Sequence, residues 1–211
     1  SPSATAAETS QGHLSSPAEQ SAGAAAIGPL PEWNLDDLYC ALDAPEVARD
    51  LAAAGAEAKR IKAAYQGKLA EAARAVDPLA DAIEAYERLS DLVGKLGSYA
   101  GLLYAADQSD PRRAKFYGDV SEKLTEISTD LIFLELELNQ IDDAVLAEAL
   151  KAPRLARFKP WFDDLRKEKP YQLEEKIERL FAEKAQTSRG AFDRLFNETM
   201  TALRFQVTGE L

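Results

Sequence analysis

Residues 97–140 read GSYAGLLYAADQSDPRRAKFYGDVSEKLTEISTDLIFLELELNQ, and this stretch decides the fold. Its first residues continue a helical pattern that stops near Asp107. Asp110-Pro111 then sets a capping carboxylate before a proline at the first helical position, where the missing N–H costs nothing. From there Phe116, Val120, Leu124, Ile127, Leu131, Leu134 and Leu138 follow three or four apart, the spacing of one helix face. The pattern predicts the end of one long helix, a tight reversal, and a second helix of about thirty residues, roughly 45 Å long at about 1.5 Å per residue.

The same punctuation recurs upstream. Asp77-Pro78 predicts a helix start with Asp77 as cap, and Leu79, Ile83, Tyr86, Leu89, Val93, Leu96, Ala100 and Leu103 form its seam. Asp43, Ala44 and Pro45 predict another start, running to about Tyr65 with Gly67 near its end. Before it, Trp33, Leu35, Leu38 and Tyr39 fit one short turn packed on something larger. Downstream, shorter helices are expected near 143–150, 161–168, 173–185 and 188–203. Phe205 to Leu211 are β-like and include the turn signal Thr208-Gly209. The predicted fold is all-α: a bundle of long antiparallel helices followed by shorter helices, with the start of a β element at the C-terminus.

Residues 1–30 differ from the rest. They contain no Lys or Arg and are rich in Ala, Ser, Gly, Pro and Gln. Such composition buries too little apolar surface to offset ordering entropy, so a disordered low-complexity tail is expected there. It lacks the basic start and long apolar core of a signal peptide. The expected organisation is tail 1–30, helical domain 31–204, and a truncated β start at 205–211.

With 211 residues the chain can hold one core of ordinary size. A net charge of -11 works against displacing counterions from phosphates, so neither nucleic acid nor an anionic membrane surface is expected as a partner. The longest run of large apolar residues, Leu131 to Leu134, is far short of a bilayer span. Cys40 is the only cysteine and cannot form an internal disulfide. It is expected to be packed or half-buried and inert, and a cytoplasmic location fits.

Gly94, Gly97 and Gly101 lie in a predicted helix interior, where each costs about 0.8–1 kcal/mol relative to Ala. Close helix packing is the plain explanation. The functional one is a strip lining a substrate channel, which makes these three the candidate site residues. No catalytic or metal-binding residue is expected: the single histidine, His13, falls in the tail. The pairs Asp36-Asp37, Asp142-Asp143, Asp163-Asp164 and Glu174-Glu175 read as solvated or capping, because adjacent helical residues do not face one another. Glu135 or Glu137 is expected in a structural salt bridge. Lys151, Arg154, Arg157, Lys159, Arg166, Lys167 and Lys169 read as a solvated basic surface, with Trp161 and Phe162 as core anchors and Tyr99 and Tyr104 as packing residues.

Several ordered stretches resemble the N-terminal helical region of the oligoendopeptidase F branch of the thimet-type zinc oligopeptidases. They are LPEWNLDDLY at 30–39, GSYAGLLYAAD at 97–107, ISTDLIFLELELNQIDD at 127–143, PWFDDLRKEKPYQL at 160–173 and AEKAQTSRGAFDRLFNETMTALRF at 182–205. The clearest likeness is at 97–107. The resemblance implies a single-zinc peptidase that cuts short peptides in a deep channel, with a His-Glu-x-x-His helix holding the metal. This sequence has no such motif, so no ligand or catalytic residue carries over. It resembles roughly the first third of such an enzyme. The implied role is to shape the channel while being inactive alone. Zinc is expected for the parent and none for this chain. The implied partners are the catalytic C-terminal part of the parent, short peptides through it, and a weak homodimer. The alternative is a free-standing helical protein-interaction module.

Overall fold

The computed structural model describes residues 33–205. The chain divides into two units, 1–34 and 35–211. Trp33 and Asn34 are the described residues of the first, and Trp33 is 71% exposed rather than packed as its apolar neighbours suggested. The expected tail at 1–30, His13, and residues 206–211 of the expected β start lie outside the described residues. Phe205 has no regular structure, and no strand occurs among the described residues that it would pair with.

Helix α1 spans Pro45–Tyr65, with its proline in the first turn as the sequence predicts. Gly67 follows with φ of 76°, a left-handed conformation that glycine adopts without steric cost. One turn, α2 (Leu69–Ala72), intervenes before α3 (Val76–Ala106). Here the sequence reading needs correction: Asp77 does not cap α3. The extended residue Ala75 marks the boundary, and Asp77 sits inside the first turn, where its charge complements the helix dipole. In α4 (Pro111–Gln140), Asp110 is the cap as expected, accepting from the Arg112 N–H at 2.8 Å.

Helices α5 (Asp143–Ala149), α6 (Pro153–Ala156), α7 (Lys159–Glu168), α8 (Glu175–Thr187) and α9 (Arg189–Ala202) complete the described chain, with a 3-10 turn at Lys169–Tyr171. Asp142 caps α5 by accepting from Ala144 N at 2.9 Å. The four-residue helices α2 and α6 escaped the sequence reading because a single turn shows no periodicity.

Helices α1, α3 and α4 pack against one another pairwise. The main core joins Ala54, Ala58 and Ile61 of α1 to Leu79, Ile83 and Leu89 of α3 and to Leu131, Leu134 and Leu138 of α4, and extends to Leu155 and Phe162. The predicted seams are therefore largely the buried faces, with Tyr86, Val93, Leu103, Phe116 and Leu124 half-buried at their edges. A smaller cluster gathers Tyr39, Val47, Leu96 and Tyr99. Burying one leucine such as Leu96 stabilises by about 1.5–3 kcal/mol. That offsets the combined cost of Gly94 and Gly97 beside it, so tertiary packing decides the helix despite its glycines. Lys62 ties α1 to α4 through Asp130 at 2.7 Å. Arg166 of α7 closes the end of α4 by donating to the carbonyls of Asn139 at 2.6 Å and Ile141 at 2.7 Å, which have no partner within the helix.

Candidate functional site

The three candidate glycines share one helix but not one environment. At Gly97 a Cβ would stand 3.3 Å from Leu124 Cδ1 of α4, so close packing explains this glycine. Gly94 and Gly101 have nothing within 4 Å of that position. For those two, packing is not the reason, and each instead opens into a groove.

The groove at Gly94 is lined by Tyr86, Val93, Ser128, Ile132 and Glu135 and has a volume of about 440 Å³. Tyr86 donates to Glu135 at 3.2 Å. Burial, then the charge and hydrogen bond of Glu135, push the Tyr86 phenol up to about 12. The groove at Gly101 is larger, about 530 Å³. Tyr104 and Tyr117 stack there with centroids 4.9 Å apart and planes 4° off parallel. Gly118 of α4 also has open space where a side chain would stand. The other wall comes from Gln186, Arg189, Arg194 and Asn197. Burial raises the Tyr104 pKa, helped by Glu198 and Tyr117 and opposed by Arg194.

Other expectations require correction. Glu137 forms no salt bridge: it accepts from the backbone N–H of Gly67 at 2.6 Å and of Leu69 at 3.5 Å. It thereby supplies the amides that open α2, which no local side chain caps. Glu135 is likewise engaged by a phenol rather than a cation. Cys40 is exposed, not packed, because the neighbouring Tyr39 takes the buried position.

The basic stretch is not simply solvated. Arg154 meets Asp77 at 3.2 Å, Asp81 at 2.7 Å and Glu84 at 2.8 Å, and Arg157 pairs with Glu87. These four carboxylates lie along one face of α3, so the stretch docks onto an acidic stripe of its own chain. Lys159 and Lys167 pair with Asp163 and Asp164 at 2.6 Å each, on exposed α7. Phe162 is a buried anchor as expected, and Trp161 is half-buried against Tyr86 at 5.9 Å.

Helices α8 and α9 are inverted relative to a normal surface helix. The side chains of α8 that are partly covered are Glu175, Glu178, Arg179, Ala182 and Gln186, spaced as one helix face. Gln186 donates to Thr125 of α4 from that face. The apolar positions Ile177, Leu180 and Phe181 are exposed, with Phe181 beside a groove that Ile132 and Leu136 of α4 also line. On α9, Gly190, Ala191, Asn197 and Thr201 are partly covered, while Phe192 (71% exposed), Leu195, Phe196 (64%) and Met200 are exposed. No residue of either helix is buried. An apolar stripe normally faces a core, and contiguous exposed apolar surface marks an interaction site. The sequence spacing of these residues signalled the helices; only the packing reveals that the described residues leave their apolar faces exposed.

A zinc site does not fit the described residues. They contain no histidine, and no three Cys, Asp or Glu side chains among them come together to hold a metal ion. No helix among them is long and apolar enough to cross a membrane.

The family described as Oligopeptidase F matches residues 137–205, about a third of the chain. The matched stretch runs from the end of α4 through the inverted pair α8 and α9. Residues 137–205 are thus similar to an N-terminal region of the oligopeptidase F family. Comparison with the curated proteins and with the solved structures gave no match.

Proposed function

We propose that this chain is the N-terminal helical part of a zinc metallo-oligopeptidase of the oligopeptidase F type. In this reading it forms one wall of the channel that admits short peptides, and it is inactive alone. The catalytic part supplies zinc and the groups that hydrolyse the peptide bond, and the cytoplasm is the compartment. The observation that carries the reading is the inverted pair α8 and α9, whose bare apolar faces lie within the family-matched stretch. Burying Phe181, Phe192, Leu195 and Phe196 against the catalytic part would satisfy them, at about 1.5–3 kcal/mol for each large side chain fully covered. Gly94 and Gly101 open onto grooves on the same α3–α4 hairpin, which fits a channel wall.

The test is reconstitution. An oligopeptidase F-type enzyme lacking its N-terminal region is mixed with this chain, and hydrolysis of a short quenched peptide is followed. Recovery of activity by the chain, and its loss with Phe192→Asp/Phe196→Asp, is expected. No recovery, with tight binding to an unrelated protein instead, would favour a free-standing interaction module.

A further inference from the structure

The groove at Gly101 contains donors that the fold leaves unused. Arg194 lines it and makes no ion pair or hydrogen bond with any described residue. Arg189, at the start of α9, has only a loose contact to Asp193 at 3.8 Å. Glu198 lies one turn beyond Arg194 but contributes to the field at Tyr104 instead of pairing with it. Arg189 and Arg194 face Asp193 and the nearby Glu198, so the charges balance in number, and the cation left without an ion pair there, among the described residues, is Arg194. The carboxamides are half-occupied. Gln186 spends its N–H on Thr125, leaving its oxygen free, and Gln108 spends its oxygen on Thr201, leaving its N–H₂ free. Gln108 and Gln186 thus offer one donor and one acceptor, the pair that a peptide bond requires. The floor is set by Gly101 and Gly118, with open space where side chains would stand, and by the flat Tyr104–Tyr117 stack. Its volume of about 530 Å³ falls within the range of about 300–1,000 Å³ usual for small-ligand sites.

We propose that this groove recognises the free C-terminal carboxylate of an extended peptide, with Arg194 as the ion-pairing group and Gln108 and Gln186 bonding the adjoining peptide unit. A guanidinium grips a carboxylate through paired N–H donors, which a neutral amide cannot reciprocate. The glycine floor lets a peptide backbone lie at a depth that side chains would block. The proposal rests on the channel reading for its ligand, a short peptide. It adds that the chain end, not only the cleaved bond, is selected.

The test titrates the full chain with an alanine tetrapeptide bearing a free carboxylate, with its C-terminal amide, and with inorganic phosphate, followed by NMR chemical shifts of the groove amides. The acid is expected to bind at least about tenfold more tightly than the amide and more tightly than phosphate. Arg194→Gln should bring the acid down to the level of the amide, Arg194→Lys should retain part of the preference, and Gly101→Leu should abolish binding of both peptides. Equal affinity for acid and amide, phosphate binding as tightly as the acid, or no saturable shift at the groove would overturn the proposal. The reconstitution assay separates the two readings. Restored hydrolysis with no acid preference and no effect of Arg194→Gln defeats the subsite alone. Acid-selective binding without restored hydrolysis defeats the channel reading and leaves the subsite standing.

Discussion

Glu137 on α4 accepts the backbone N–H of Gly67 at 2.6 Å, across 70 positions of sequence. The same carboxylate reaches Leu69 N at 3.5 Å. The start of α2 is thus capped by a side chain from another helix, and the α1–α2 connection is fixed to the hairpin that carries the grooves. Removing a capping acceptor costs about 0.5–2 kcal/mol. Glu137→Ala should lower the urea midpoint accordingly, and Glu137→Gln should cost less because its carbonyl still accepts. Equal loss in both variants would show that charge, not the hydrogen bond, matters.

This relationship also shows where sequence reading stops. Proline after a small or acidic residue, together with three-four spacing, was enough to place α1 and α4, to bring α3 to within two residues of its start, and to identify most buried seam positions. Long periodic helices repeat their signal many times. The partner of Glu137 was not legible, because a carboxylate between leucines looks the same whether it meets a lysine or a distant amide. Nor was the division among the glycines: whether Gly97 or Gly101 faces Leu124 depends on the crossing of α3 over α4. The basic stretch around Arg154 was visible as composition, yet its docking onto Asp77, Asp81 and Glu84 needed the fold.

The glycines should respond individually to substitution. Gly94→Ala meets open space and should raise stability by up to about 1 kcal/mol. Gly97→Ala asks only the flexible end of Leu124 to yield, so the propensity gain and the crowding should nearly cancel. Gly97→Leu overpacks and should cost about 1–3 kcal/mol. Denaturant midpoints at constant slope check all three. A stabilised Gly97→Leu would mean that α3 and α4 are not in contact there.

Acid should destabilise the fold at a definable point. Arg60 depresses Glu57 and Arg154 depresses Glu84 through hydrogen bonds. At Asp50 burial pushes upward, but hydrogen bonds from Tyr39 and Arg49 outweigh it and the pKa falls. These groups bind protons more weakly when folded. Their contribution is fully present above the ordinary carboxylate pKa of about 4 and is lost as pH falls through the lower folded values. Thermal midpoints should be flat from neutral pH to about 5 and drop below about 4. Arg154→Met should lower the midpoint and weaken its dependence on salt. An unchanged salt dependence would remove the acidic stripe from the account.

Alkali should act through Tyr86. Its phenol is pushed up to about 12, above the ordinary value of about 10. The folded state holds this proton more tightly, so the stabilisation is present below about pH 10 and fades as pH rises through the folded value. Tyr86→Phe should lose the Glu135 hydrogen bond at neutral pH, about 0.5–1.5 kcal/mol, and should show a shallower alkaline decline. Phenolate absorbance of wild type and variant against pH checks the assignment.

The central claim is that α8 and α9 present an apolar face to the catalytic part of an oligopeptidase F-type enzyme. Amide hydrogen exchange across residues 175–202, measured for the chain alone and after addition of that catalytic part, tests it most directly. The account predicts fast exchange alone and marked slowing in the mixture, centred on Phe192 to Met200 and absent in Phe192→Asp/Phe196→Asp. Exchange at 175–202 that is unchanged by the catalytic part, in a chain that stays fully helical, would contradict it.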